Sequence, residues 1–334
     1  EFSKAVIATS ADHPSAVHVA DMDGDGDLDI VAASSLDDTI SWYENNGAAD
    51  PTFTAADIAT SADFAHHLFV ADLDGDGDLD IASASAYDDT IAWYENDGAA
   101  NPTWAAADIA TNADFAQDVK IADIDGDGDL DIVSASGLDD TIAWYENDGA
   151  VNPSWAAADI VTNADGAESI DIADMDGDGD LDIVSVSMND DTLAWYENNG
   201  AADPTFTAVD IATNVDGAED VRIGDIDFDG DLDIITVSQN DDTVALFLND
   251  GSESPSWTKS VINTAADNAH GVDFADLDGD GDLDIVSASW DDDTIAWYEN
   301  HGAAGNHLLT IADVTTSNEN AANTTFTVSL SAAA

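Results

Sequence analysis

Short apolar runs alternate with polar turns along this chain, and no stretch carries the three-to-four-residue spacing of an amphipathic helix. The runs come in sets of four. Val17-His18-Val19-Ala20 is followed by Leu28-Asp29-Ile30-Val31-Ala32 and then by Thr39-Ile40-Ser41-Trp42-Tyr43. A turn rich in Asn, Gly and Pro, from Asn45 to Pro51, leads to the fourth run, Phe53 to Ile58. Rich in β-branched and aromatic side chains and bounded by turn residues, each run predicts a β-strand.

The set recurs without insertion or deletion. Asp-x-Asp-x-Asp-Gly-Asp-Leu-Asp begins at Asp21, Asp72, Asp123, Asp174, Asp225 and Asp276, each 51 residues after the last. Trp-Tyr-Glu-Asn follows at Trp42, Trp93, Trp144, Trp195 and Trp297, with Leu246-Phe247-Leu248-Asn249 in its place once. An aromatic opens the fourth strand at Phe53, Trp104, Trp155, Phe206 and Trp257, and Phe2 stands in the same phase. Four strands per unit of this length predict an all-β fold, a six-bladed β-propeller of four-stranded antiparallel blades. The sixth unit supplies three strands between Val272 and Tyr298, so Phe2 to Thr9 is expected to complete that last blade beside Ile295 to Glu299.

The Asp loops carry the first candidate chemistry. Calcium takes six to eight hard oxygens, and carboxylates at alternate positions can wrap one ion where a glycine permits a sharp turn. In the first loop the side chains of Asp21, Asp23, Asp25 and Asp29 and the carbonyl of Asp27 are the expected ligands. The equivalents are Asp72, Asp74, Asp76, Asp78 and Asp80, then Asp123, Asp125, Asp127, Asp129 and Asp131. Asp174, Asp176, Asp178, Asp180 and Asp182 form the fourth set, and Asp225, Asp227, Asp229, Asp231 and Asp233 the fifth. Asp276, Asp278, Asp280, Asp282 and Asp284 complete the series, for about six Ca2+ ions. Loop five carries Phe228 where the others have Gly, so that position is expected to tolerate other residues, with Gly230 holding the turn. An EF-hand would need Glu at loop position 12, which here is Ala32, Ser83, Ser134, Ser185, Thr236 or Ser287. Magnesium prefers water-rich octahedral sites to all-protein cages.

Charge narrows the partners. Lys and Arg number 4 against 73 Asp and Glu, a formal net charge of -69, yet 44% hydrophobic residues suffice for a large core. Nucleic acid and anionic membranes are repelled, and no long apolar span for membrane insertion is present. With no cysteine, thiol chemistry is excluded. Glu1-Phe2 and Ala332 to Ala334 look like residues left by cloning, so the chain is expected to be an excised, monomeric piece of a larger protein.

The Asp loop, the Leu-Asp-Ile strand and the Trp-Tyr-Glu-Asn-x-Gly turn resemble the FG-GAP/VCBS repeats of integrin α subunits and many bacterial surface proteins. The likeness covers residues 2–305 and implies a calcium-binding propeller of a secreted or cell-surface, multidomain protein. Residues 306–331, with Leu309 to Leu330, resemble the opening strands of a Calx-β domain.

Because the units are nearly identical, the positions where they differ stand out. They cluster before the first strand and between the second and third, connections that emerge on the face opposite the Asp loops. There the candidate ligand-face residues are His13, His66, His67, Tyr87, Phe115, Gln117, His270 and Trp290. In the integrin relatives that face binds ligand. A constant scaffold with variable loops suits non-catalytic recognition or adhesion, with an extracellular protein or glycan as partner. A sugar-binding lectin is one version of it, and a lyase-like polysaccharide enzyme is the alternative from another class. No Ser-His-Asp spacing, His-Glu-x-x-His or Gly-rich phosphate loop accompanies the histidines. The repeated Trp-Tyr pair is expected to fill the core between blades rather than to form a sugar platform.

Overall fold

Turn chemistry cuts the chain at the same places in every repeat. In the Asp loop, Gly24 and Gly26 adopt φ of 72° and 96°, conformations that end one strand and start the next. In this computed structural model, which describes residues 5–302, blade one consists of β1 (Pro14–Ala20), β2 (Asp29–Ser34), β3 (Thr39–Asn45) and β4 (Phe53–Ala59). These pair in sequence order as an antiparallel sheet, and the pattern repeats through five four-stranded sheets and one of three strands. No helix occurs among the described residues. The chain divides into two compact units, Glu1–Asn300 and His301–Ala334, and the architecture here is that of the first. The Calx-β-like segment 306–331 and residues 332–334 lie outside the described residues.

Each blade buries its middle strands. Asp80–Ser85 is buried at every position, whereas the outermost strand Trp104–Ala110 exposes most of its residues. The innermost strands of consecutive blades pack on one another from blade one to blade six. Apolar clusters fill the five seams between consecutive blades, such as Val31, Ile40 and Trp42 of blade one against Leu68, Ile81 and Tyr94 of blade two. The Trp of the Trp-Tyr pair is 3% exposed at Trp42, Trp93, Trp144 and Trp195, which makes it core as expected.

Two polar clasps reinforce these seams. Asn96 Nδ2 donates to the Met22 carbonyl of the preceding blade at 2.9 Å and to Leu79 of its own at 3.0 Å. Asn147, Asn198, Asn249 and Asn300 repeat the bond across the later seams. On the opposite face the carboxylate of Asp38, at φ 57°, accepts from Phe64 N of the next blade at 3.1 Å. A buried carbonyl or N–H left without these partners would cost about 1–3 kcal/mol.

The seam between blades six and one differs. Val17, Ile295 and Trp297 are 68%, 81% and 51% exposed, whereas their equivalents Leu68, Ile91 and Trp93 are buried. Blade six has three strands, Ala269–Ala275, Asp284–Ser289 and Thr294–Tyr298, which leaves the outer place for the N-terminal segment. Of that segment, residues 2–4 lie outside the described residues. Ala5 to Thr9 are not in a strand, which departs from the expected regular strand over Phe2 to Thr9. Ala5 to Ala8 instead line an apolar cavity with Val17, Ile30 and Tyr43 of blade one. The outermost strand of a blade is held along one edge only and buries little, so it is the element most easily displaced.

Candidate metal loops and channel mouth

The metal loops are built by carboxylates folding back on their own backbone. Asp21 accepts from Asp25 N and Gly26 N at 3.1 and 3.0 Å, and Asp25 accepts from Asp27 N at 2.9 Å. The ninth residue is buried and ties the loop to the end of the third strand. Asp29 accepts from Met22 N at 3.2 Å and from Asn45 N at 2.7 Å. Its equivalents Asp80 and Asp182 are pushed up to about 7 by burial, a cost that a neighbouring divalent cation would offset.

Carboxylate oxygens of Asp21, Asp23 and Asp29 lie within 4.8 Å of one another, as do those of Asp72, Asp74 and Asp76. The same holds for Asp123, Asp125 and Asp127, for Asp174, Asp176 and Asp182, and for Asp225, Asp227 and Asp229. The Oδ1 atoms of Asp72, Asp123 and Asp225 are buried without a hydrogen-bond partner. A buried anionic oxygen that no donor meets fits a cation, so the residues present suit a hard divalent ion. The seventh residue faces elsewhere. A Cβ on Gly47 would fall 1.9 Å from Asp27 Oδ2, which places that carboxylate against the turn after β3.

The opposite end of the axis is organised by a β-bulge. In blade two, Ala65 pairs with Ser85 and His67 with Ala84, so His66 is the extra, unpaired residue. The bulge recurs at the same place in every innermost strand, and the skipped residues are Ser15, His66, Gln117, Glu168, Glu219 and His270. All six line one cavity of about 290 Å3 at the channel mouth. A bulge re-aims a side chain out of the alternating pattern, and here it turns a position that differs between repeats toward the axis.

Beneath this ring lie paired charges. His67 Nδ1 lies 2.7 Å from Asp118 Oδ1, and Arg222 donates to Asp220 at 2.6 Å. Burial alone would raise Asp118, but His67 and Lys120 hold it well below the usual carboxylate range. Asp118 also accepts from Ile170 N and Asp220 from Val272 N, each in the following blade. These acids are structural staples. Lys120, Asp171, Arg222 and Asp273 occupy the next level, where His18 packs on Phe69.

The rim is less satisfied. Gln117 is 6% exposed and donates to Glu168, while its Oε1 is buried without a partner. Burial, then the charge of Glu219, pushes Glu168 up to about 8, and burial, then Asp220, pushes Glu219 to about 7. Burial lowers His66 and takes His270 to about 4, so both rings are neutral near pH 7. Aromatic rings flank the mouth on two sides. Tyr87 stacks on Phe64 at 4.3 Å and lies 6.0 Å from Phe115, while Phe64 stacks on His66. On blade six, Trp290 stacks on His270 at 3.8 Å with His13 of blade one beside it.

A family model for the FG-GAP-like repeat matches residues 21–83, 72–134, 123–185, 177–236 and 225–287. The chain belongs to the FG-GAP-like repeat family. No curated protein matches it. Among solved structures, this FG-GAP propeller is similar to a rhamnogalacturonan lyase PL11 of Bacillus licheniformis, at 16% identity and TM-score 0.51. That match covers 86% of this chain and 56% of the lyase, so the chain spans little more than half of that protein's length. A protein from Lactobacillus plantarum matches at 13% identity and TM-score 0.57, covering 86% and 84% of the two chains. A putative 6-phosphogluconolactonase of Bacteroides fragilis matches at 14% and 0.58, covering 86% and 80%. At these identities the likeness establishes the propeller fold alone.

All eight ligand-face residues named from the sequence gather around the mouth. His66, His67, Gln117 and His270 line it, and Tyr87, Phe115, Trp290 and His13 form its aromatic flanks. Glu168 and Glu219 were visible only as differing positions, and Phe64 likewise. Nothing in a single sequence marks the bulge that turns the two glutamates inward.

Proposed function

We propose that this FG-GAP propeller is a calcium-braced, non-catalytic recognition module of a secreted or cell-surface protein, with its ligand site at the channel mouth opposite the metal loops. One observation carries this assignment. Six bulges present four kinds of side chain, Ser, His, Gln and Glu, at a common mouth on an otherwise repeated scaffold. A scaffold braced at one end and diversified at the other suits binding, since rigid elements hold the contacting groups in place before the ligand arrives. FG-GAP repeats are typical of extracellular proteins, and no helix among the described residues could cross a membrane. Calcium, when bound, supplies positive charge that gathers each loop's carboxylates and joins the two middle strands of the blade. The test is binding of extracellular protein and glycan arrays with and without calcium. Ligand capture that is lost in a His66→Ala, Gln117→Ala double variant supports the assignment. Capture that survives this variant but is lost on mutating exposed residues of the metal-loop face, such as Leu28 and Phe228, would refute it.

A further inference from the structure

The mouth narrows the ligand class. We infer that it binds a neutral glycan, with pyranose faces on the exposed rings of Tyr87 and Trp290 and hydroxyls reaching toward the polar mouth. This inference rests on the recognition function proposed above.

A pyranose has two kinds of surface, an apolar C–H face that packs on aromatic rings and a rim of hydroxyls that both donate and accept. Each finds a counterpart here. Tyr87 and Trp290 are 61% and 55% exposed although each is backed by a second ring, so one face of each pair is supported and the other is open to a ligand. Both aromatic flanks run into the polar mouth through a histidine, His66 on one side and His270 on the other. Among the polar groups of the mouth, Gln117 donates to Glu168, Arg222 to Asp220, and His67 contacts Asp118. Gln117 Oε1 is a buried acceptor without a donor, as a hydroxyl would supply.

Charge selects against acidic sugars. Arg222 is committed to Asp220 at 2.6 Å, and His67 contacts Asp118 at 2.7 Å, so neither is available to a uronate or sulfate. The net charge of -69 adds long-range repulsion of any polyanion.

Titration calorimetry in calcium with neutral tetrasaccharides of glucose, galactose and N-acetylglucosamine, a tetragalacturonate and a deacetylated glucosamine tetramer tests this. At least one neutral tetrasaccharide should bind, and Tyr87→Ala and Trp290→Ala should each weaken it about tenfold. Both side chains are exposed, so circular dichroism and melting temperature should stay unchanged. Val151→Ala, in a turn after a third strand, should bind as the parent does. Binding of the tetragalacturonate or the glucosamine tetramer alone would overturn the inference, as would neutral-sugar binding indifferent to both aromatic variants. If every sugar fails while a protein ligand is bound and lost in Tyr87→Ala, the sugar inference falls and the recognition face stands.

Discussion

Phe228 stands where the other loops carry a glycine, and it takes φ of 58° there. The loop needs the left-handed conformation at that position, and a side chain in it costs about 1–2 kcal/mol. The residue is 41% exposed, so replacing it forfeits little packing. Phe228→Gly should therefore stabilise the protein by about 0.5–1 kcal/mol after the greater chain entropy of glycine is counted, measured by urea unfolding. The expectation that this position tolerates other residues is thus met in shape but at a cost. Asn96→Ala should act in the other direction. It leaves the Met22 and Leu79 carbonyls without their donor and should destabilise by about 1–3 kcal/mol in the same assay. At the mouth, Glu168 binds its proton more tightly in the folded state, with a value of about 8 against an ordinary 4.5. The sign follows: its ionisation opposes folding, by an amount absent below the unfolded value and complete above about 8. Unfolding free energy should fall as pH rises across that window, and less steeply in Glu168→Gln.

At the scale of the element, the Asp loop and the two middle strands of a blade form one cooperative unit, because Asp29 bonds to both Met22 and Asn45. An ion in the loop would therefore brace the sheet as well as the loop. Extracellular calcium modules bind at about 10⁻⁴–10⁻³ M, and a tenfold excess over Kd contributes about 1.4 kcal/mol per site. Over six loops that is comparable to the whole stability of an ordinary domain, about 5–15 kcal/mol. Chelator should lower the melting temperature by about tens of degrees, and native mass spectrometry should count about six calcium ions. Fewer than four ions, or a melting curve indifferent to chelator, would contradict the assignment of these loops. Gly98→Ala should disrupt the second loop's neighbour, since its Cβ would meet Asp78 Oδ2 at 1.9 Å and its φ is +63°.

At the scale of the molecule, five seams are packed and the sixth is where the ring can open. The apolar surface there includes Val17 and Val19 on blade one and Leu277, Ile295 and Trp297 on blade six. The N-terminal residues Ala5 to Ala8 cover part of the blade-one side. Deleting residues 1–10 should therefore expose more of this surface and promote dimers or aggregates, seen by light scattering, whereas the parent stays monomeric. A truncated protein that remains monomeric with an unchanged melting temperature would show that the segment takes no part in closing the ring.

Strand, turn and metal-ligand spacing are local properties, written within a few residues of one another and repeated six times. Hence the blades, their number and the Asp loops follow from the sequence alone. What tertiary structure decided depends on pairing between distant residues. Asn96 meets Met22 across 74 positions, and no local pattern announces that bond. The bulge at His66, Gln117, Glu168, Glu219 and His270 exists only once the innermost strand pairs with its neighbour, and it alone turns those side chains to the axis. The upward shift of Glu168 and Glu219 at the mouth is likewise a consequence of burial, which is a property of the assembled ring and of no single residue.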